Sequence, residues 1–172
     1  MIEKLKYPIG KFQWIENPSQ IQLEKALEVL ASFPYELDEI ISGLSEKNLL
    51  KQYRQGGWTI AQVVHHLADS HMHCYLRMKH AVLEDKPIIK DYTEAEWAKT
   101  KDGSSTEISF SLDLLKALHK RWVYFLNGLK NEEWKRSYYH PERAKYYPLN
   151  TTVLLYAWHC KHHLAHIQKA LR

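Results

Sequence analysis

The sequence has few of the residues that interrupt regular secondary structure. Its 172 residues include only six glycines and six prolines, which disfavours disordered, collagen-like and turn-rich all-β folds. It also lacks an apolar run of about 18 residues, and its opening segment lacks one of roughly 7–15 residues. We therefore expect a cytoplasmic, mostly helical protein with neither a membrane span nor a secretion signal. The length suits a single domain over residues 1–172.

The charge pattern and the missing motifs exclude several classes of function. With 24 basic and 20 acidic residues the net charge is +4, and without a run of like charges there is no sign of a nucleic-acid arm or a membrane patch. No phosphate-binding loop, dinucleotide fingerprint, Ser-His-Asp pattern or serine-hydrolase elbow occurs. The two cysteines, Cys74 and Cys160, are expected to remain buried thiols.

Capping residues and apolar spacing predict four long helices. Ser19 and Thr59 can each cap a helix that follows them, and Gly128 can end another. Pro34 is expected to kink or split the first helix, because an interior proline removes a hydrogen bond and clashes with the preceding turn. The four predicted segments are residues 20–43, 60–84, 111–128 and 151–172.

The connections between these segments carry shorter structure. Single helical turns are predicted at SEKN, TEAEWAK and NEEWK, and residues 137–150 are expected to form a loop or a small β-hairpin. No internal repeat is present. The fold predicted is therefore all-α, a four-helix bundle with short extra helical turns in its loops.

Histidine is abundant and unevenly placed. Of the eleven histidines, five lie within residues 65–80 and four within residues 159–166. His159 and His163 are four residues apart, so their imidazoles lie one turn apart on one helix face. His66 borders the apolar face of the second long helix, whereas His65 points about 100° away. The pattern predicts one metal ion held by His66, His159 and His163.

Three neutral imidazoles leave a metal ion with open coordination positions. Such an ion can activate water for hydrolysis, or it can bind a thiol and deprotonate it for transfer to an electrophile. The residues do not separate these reactions, and Asp69, Arg77 and His162 are only candidates for a general acid or base. Asp69 could also orient a ligand histidine. A structural ion is the third alternative, which a fourth ligand such as His73 or His166 would favour.

Several strings in the sequence resemble the DinB-like four-helix proteins, in particular the YfiT-type metal-dependent hydrolases. These strings are GGWTIAQVVHHLADSHMH, YHPE and YAWHCKHHLAHI, together with YPIGKF and YRQGGW. The resemblance implies a bundle that binds one divalent ion, zinc or nickel, through His66, His159 and His163. It also implies a homodimer acting on a small molecule. Related DinB-like enzymes transfer low-molecular-weight thiols such as bacillithiol or mycothiol.

Overall fold

The computed structural model describes residues 2–172, which form four long helices with short elements between them. In chain order these are α1 (Ile2–Lys6), α2 (Gln20–Ile41), α3 (Glu46–Leu49), α4 (Ile60–Leu83), α5 (Glu94–Trp97), α6 (Ser109–Asn127), a 3₁₀ turn (Glu133–Lys135), β1 (Ser137–His140), β2 (Lys145–Pro148) and α7 (Leu149–Leu171). The predicted bundle and its extra helical turns are confirmed. Among the described helices, none has the length and hydropathy needed to cross a membrane.

Side-chain caps start two of the long helices where the sequence predicts. The Ser19 side chain accepts a hydrogen bond from the Gln22 backbone amide, and the Gln22 side-chain oxygen accepts one from the Ser19 backbone amide. Thr59 and Gln62 form the same reciprocal pair at the start of α4. Each pair satisfies amides that the first turn of a helix leaves without partners.

The expectation that Pro34 would kink or split the first helix is not met, because α2 runs without interruption through it. A proline has no amide hydrogen to donate to the carbonyl four residues earlier, which here belongs to Leu30. That carbonyl instead accepts a hydrogen bond from His119 Nδ1 of α6 at 2.6 Å. The Pro34 ring is itself buried in the bundle.

The four long helices form a ring in which α2 packs on α6 and α7, and α4 also packs on α6 and α7. The consecutive helices α2 and α4 therefore lie diagonally across the bundle. Their shared core includes Leu30, Leu67, Trp122 and Ile167, all nearly inaccessible to solvent. Cys74 and Cys160 are buried free thiols, as the sequence predicts.

A two-stranded hairpin and the N-terminal segment cover α4 and α7. Strands β1 and β2 pair in antiparallel register. Of the two structures predicted for residues 137–150, a loop or a small β-hairpin, the hairpin is therefore the correct one. Tyr139 of β1 also bonds to the loop after α4 through Pro87 and Ile89. The helix α1 was not predicted, since five residues are too few to show helical periodicity.

Candidate metal centre

Two neighbouring helices bring three histidines together. His66 comes from α4, and His159 and His163 come from adjacent turns of α7. One ring nitrogen from each lies within 4.8 Å of those of the other two. His66 Nε2 and His159 Nε2 are 3.3 Å apart. Two nitrogens bound to one tetrahedral zinc at about 2.1 Å would lie roughly 3.4 Å apart, so the spacing suits a shared ion.

Burial keeps these imidazoles neutral. It lowers the pKa of His66 to about 3, with a further contribution from nearby His162. The pKa values of His159 and His163 also fall well below the ordinary value, chiefly through burial. His66 contributes next for His159, and His159 and then His66 for His163. Metal binding requires a neutral imidazole with a free lone pair. The protonation state at neutral pH is therefore the one that a metal ion needs.

A line of imidazoles leads away from His159 into the core. His159 Nδ1 lies 3.1 Å from His71 Nε2, and His71 Nδ1 lies 2.7 Å from His119 Nε2. The line ends where His119 Nδ1 meets the Leu30 carbonyl oxygen. Three helices, α4, α6 and α7, contribute rings to this histidine relay, which is fully enclosed beyond His159.

A shorter line leads from His163 towards the N-terminus. The Nδ1 atoms of His163 and His166 lie 3.4 Å apart. His166 Nε2 reaches the carbonyl oxygens of Leu5 and Lys6 at 3.2 and 3.1 Å. His159 and His163 thus each contact a further histidine through Nδ1, and each line of histidines ends at a backbone carbonyl oxygen.

The donor set fits a borderline divalent cation. Three neutral imidazoles suit zinc or nickel better than calcium or magnesium, which prefer oxygen ligands. A second group, His162, His163 and His166, also has nitrogens within 4.8 Å. This group shares His163 with the first, but His166 already has both ring nitrogens engaged. His66, His159 and His163 therefore form the better site.

A cavity of about 390 Å³ adjoins the first group at His159. Its wall is largely aromatic and includes Tyr138, Tyr156 and Trp158. Tyr156 lies beside His159, with ring centroids 5.4 Å apart. Its hydroxyl donates to the Ser70 carbonyl at 3.3 Å. A small molecule in this cavity would therefore contact one of the three histidines directly.

The structure places the other candidate residues in different surroundings. His65 is buried, not exposed, and bonds to Ser111 Oγ at 2.7 Å and to the Ser105 carbonyl at 2.9 Å. Asp69 lines a separate cavity of about 570 Å³, which it shares with His65 and with none of the three ligand candidates. His162 stacks on Trp158 with ring centroids 4.5 Å apart.

The structure also shows the positions of Arg77, a candidate acid or base, and of His73, a candidate fourth ligand. Arg77 borders the cavity beside His159. His73 stacks on Tyr92, with ring centroids 4.2 Å apart, and is absent from the groups of described residues whose spacing suits a metal. Of the proposed acid–base residues, His162 lies beside His163, with ring centroids 4.9 Å apart, and Arg77 borders the cavity at His159.

Sequence reasoning treated His71 and His119 as ordinary helix histidines and missed the relay. A usable signal was present, because His71 lies about 140° around α4 from His66, within the apolar stripe. His119 likewise falls between Leu115 and Trp122 on the buried face of α6. A histidine in an apolar stripe must find a hydrogen-bond partner, which in both cases is another histidine.

Comparisons with known proteins agree with this geometry. The model of the DinB superfamily matches residues 30–167. YfiT of Bacillus subtilis is 41% identical over 168 residues, which cover 98% of this chain and 94% of that protein. OB0782 of Oceanobacillus iheyensis is 43% identical over 162 residues, covering 94% and 93%, and both bear the provisional name of metal-dependent hydrolase.

A solved structure gives the same result for the fold. YfiT from Bacillus subtilis, described as a probable metal-dependent hydrolase with an unusual four-helix bundle topology, superposes with a TM-score of 0.94. The match covers 97% of this chain and 95% of that one at 41% identity. The diagonal placement of α2 and α4 thus belongs to a bundle topology already seen in a close relative.

Proposed function

Because the chain belongs to the DinB superfamily, we propose that it is a metal-dependent hydrolase with one divalent ion, zinc or nickel, held by His66, His159 and His163. One observation carries this proposal. The nitrogens of the three histidines converge, and one of the three, His159, lines a cavity that can admit a small molecule. Three protein ligands beside an open cavity are typical of catalytic zinc sites, whereas structural sites have four.

The ion contributes Lewis acidity, which polarises a substrate carbonyl and makes a water molecule or a thiol acidic at neutral pH. The protein supplies the shape and the polarity of the surroundings. Tyr138, Tyr156 and Trp158 form an aromatic part of the cavity wall beside His159. Apolar walls of this kind bind the body of a small molecule, and a few polar groups orient it.

Tyr156 is the side chain best placed to donate a hydrogen bond to a reactant. It lines the cavity beside His159. Burial raises its pKa well above the ordinary value, so its hydroxyl keeps its proton at neutral pH. When a reactant binds, this hydrogen can turn from the Ser70 carbonyl to an oxygen on which negative charge develops.

The experiment that tests the proposal pairs metal analysis with a reactivity panel. The purified protein, loaded with zinc or with nickel, is incubated with ester and amide substrates and, separately, with thiols plus electrophiles. Hydrolysis that requires the metal and disappears in His159→Ala supports the proposal. Formation of a thiol conjugate without hydrolysis would replace it with thiol S-transfer at the same centre. Full metal loading without either reaction would leave a non-catalytic metal-binding bundle.

We further infer a single domain over residues 1–172, a homodimer, a cytoplasmic location and a small-molecule substrate rather than nucleic acid or a membrane. Close similarity along nearly the whole chain to a relative named as a hydrolase supports the small-molecule substrate. Analytical ultracentrifugation of the purified protein checks the oligomeric state, and a monomer at micromolar concentration would contradict the homodimer. Elemental analysis after growth without added metal identifies the native ion.

A further inference from the structure

The first inference concerns the proton positions on the histidine relay. A backbone carbonyl can only accept, so His119 Nδ1 must carry the hydrogen that meets the Leu30 oxygen. A neutral His119 then has an acceptor at Nε2, which obliges His71 to donate from Nδ1. His71 Nε2 is in turn an acceptor, so His159 donates from Nδ1 and has its lone pair at Nε2.

The same logic applies to His163. The carbonyls of Leu5 and Lys6 require the hydrogen of His166 to be on Nε2. His166 Nδ1 is then an acceptor, and His163 donates to it from Nδ1. The lone pair of His163 is therefore at Nε2. Two independent lines of imidazole reach the same result for both ligands of α7.

We propose that His71, His119 and His166 are positioning residues that fix His159 and His163 in the tautomer whose Nε2 lone pair is free for the metal. The protons are set before any ion arrives, because each line ends on a carbonyl that belongs to the fold. Partners that fix the tautomer and orientation of metal-bound histidines typically change metal affinity by about 10–100-fold. Burial of the rings supports the neutral state that the argument requires, since it lowers the pKa of His71 and His119.

The test begins with the metal-free wild-type protein labelled with ¹⁵N at histidine. Long-range proton–nitrogen correlation spectra distinguish a ring protonated at Nδ1 from one protonated at Nε2. We expect Nδ1–H for His159 and His163. A spectrum in which either residue carries its hydrogen on Nε2 would overturn the proposal, and this result does not depend on any variant folding.

Variants then connect the tautomer to metal binding. His71→Phe keeps an aromatic ring but removes the acceptor, so we expect zinc affinity to fall about 10–100-fold in a chelator competition assay. His71→Gln retains an acceptor close to the position of Nε2 and is expected to recover most of that loss. His80→Phe, on an exposed part of α4, is the matched control. A folded His71→Phe protein that binds zinc like the wild type would contradict the role of the relay.

The second inference rests on a different observation, the buried guanidinium of Arg77. Its side chain is only 9% exposed and borders the cavity beside His159. Its Nη2 contacts are long, 3.4 Å to Asp91 Oδ1 and 3.5 Å to the Lys90 carbonyl. Its Nε has no hydrogen-bond partner among the residues the structure describes. A buried cation bound so incompletely is costly unless another anion completes its shell.

The rest of the cavity favours an anion with an apolar body. Lys11, Arg143 and the carboxylate of Glu94 also line it. Exposed carboxylates, Glu3 and Glu142, pair with Lys11 and Arg143, which leaves Arg77 as the buried cation of the lining. The buried His140 Nδ1 is a second polar atom on this cavity without a partner in the described part of the chain. Arginine binds a carboxylate through two parallel hydrogen bonds, and the aromatic wall suits an apolar group.

We propose that Arg77 forms a carboxylate-binding site on this cavity, and that the reactant is a small molecule with a carboxylate on an apolar body. The statement that the bound molecule is a reactant rests on the proposed function. The binding itself does not, so it is measured first without metal. Failure of carboxylate binding would remove this inference alone, whereas binding without any metal-dependent reaction would remove the proposed function alone.

The probes are phenylacetate and its neutral isostere phenylacetamide, and their binding is measured by calorimetry and by intrinsic tryptophan fluorescence. We expect the acid to bind at least ten times more tightly than the amide, with or without zinc. Arg77→Met should lose that preference, and Arg77→Lys should retain part of it. Arg121→Gln, an exposed change on α6, should leave it intact. Equal binding of acid and amide to the wild type would overturn the proposal, whatever the stability of the variants.

A kinetic comparison identifies which reactant carries the carboxylate. The first pair tests the thiol, with mercaptopropionate and its amide. The second pair tests the acyl substrate, with a carboxylate-bearing nitrophenyl ester and nitrophenyl butyrate. Arg77→Met should raise KM about tenfold or more only for the carboxylate-bearing member of the pair that uses the site. Equal effects of Arg77→Met on both members of both pairs would contradict the assignment.

Discussion

His119 donates to the Leu30 carbonyl at 2.6 Å, at the point in α2 where Pro34 has no amide hydrogen to offer. The proline thus leaves an acceptor free inside the core, and a histidine from another helix uses it. This contact also anchors the line of imidazoles that leads to His159. The backbone defect in one helix and the candidate metal centre are connected through two buried side chains.

This connection predicts coupling between positions 34 and 119. In the wild-type background, His119→Leu should lower the free energy of unfolding by about 1–3 kcal/mol, because it leaves the Leu30 carbonyl and His71 without partners. In a Pro34→Ala background the new amide of residue 34 can donate to the Leu30 carbonyl. The stability lost through His119→Leu should therefore be smaller by about 1 kcal/mol. Urea unfolding of the four proteins measures both values. Purely additive losses would show that Pro34 and His119 act independently.

Loss of a ligand histidine should be distinguishable from loss of a structural one. We expect His159→Ala and His163→Ala to abolish tight metal binding, since each removes one of three ligands. His65→Ala should leave the metal stoichiometry nearly intact but lower the free energy of unfolding by about 1–3 kcal/mol, because it breaks hydrogen bonds to Ser111 and Ser105. Elemental analysis measures the metal content of each variant, and thermal unfolding measures its stability. Full metal content in the first two variants would remove the site.

Asp69 gives the protein a stability that depends on pH. Burial, assisted by the nearby charge of Asp102, raises the pKa of Asp69 to about 6 from an ordinary value of 3.8. The folded state therefore favours the protonated carboxyl, so its contribution to stability is present below pH 3.8 and is lost as the pH rises through about 6.

Asp69→Asn removes this dependence. One pKa unit corresponds to about 1.4 kcal/mol, and because Asp69 is only partly buried we expect a gain of about 1–2 kcal/mol at alkaline pH. Near the ordinary pKa of the carboxyl the variant and the wild type should be almost equally stable. Unfolding curves at acidic and alkaline pH measure the difference, with the exposed Asp85→Asn as control. A gain that is the same at both pH values would refute the assignment.

Tyr156→Phe tests the proposed hydrogen bond from the Tyr156 hydroxyl to a reactant in the cavity. The ring is retained, so the cavity and the metal content should be unchanged. A hydrogen bond to developing charge is worth about 1.5–3 kcal/mol, and its loss should lower kcat by about 10–100-fold with little effect on KM. Tyr124→Phe, on an exposed tyrosine, is the control. An unchanged kcat would exclude Tyr156 from the reaction.

Much of the fold could be predicted because its signals are local. Ser19 and Thr59 cap their helices through residues three positions away, and helical spacing identifies the buried face of α4. The positions of His66, His159 and His163 on two helix faces follow from the same geometry. The sequence also resembled its family over several separate strings, and the match to residues 30–167 confirms that resemblance. Their role as metal ligands stays a prediction.

Only the tertiary structure decided the relations between residues that are distant in the chain. Pro34 does not break α2, because α6 supplies a donor for the carbonyl that the proline leaves free. His71 and His119 gain a role only when three helices place their rings in line. Arg77 gains one only when the N-terminal segment and the hairpin enclose a cavity beside it. Residue types and helical periodicity determine which faces are apolar and where histidines lie on them. Hydrogen-bond partners depend on distances of a few tenths of an ångström between helices, and helical periodicity does not encode those distances.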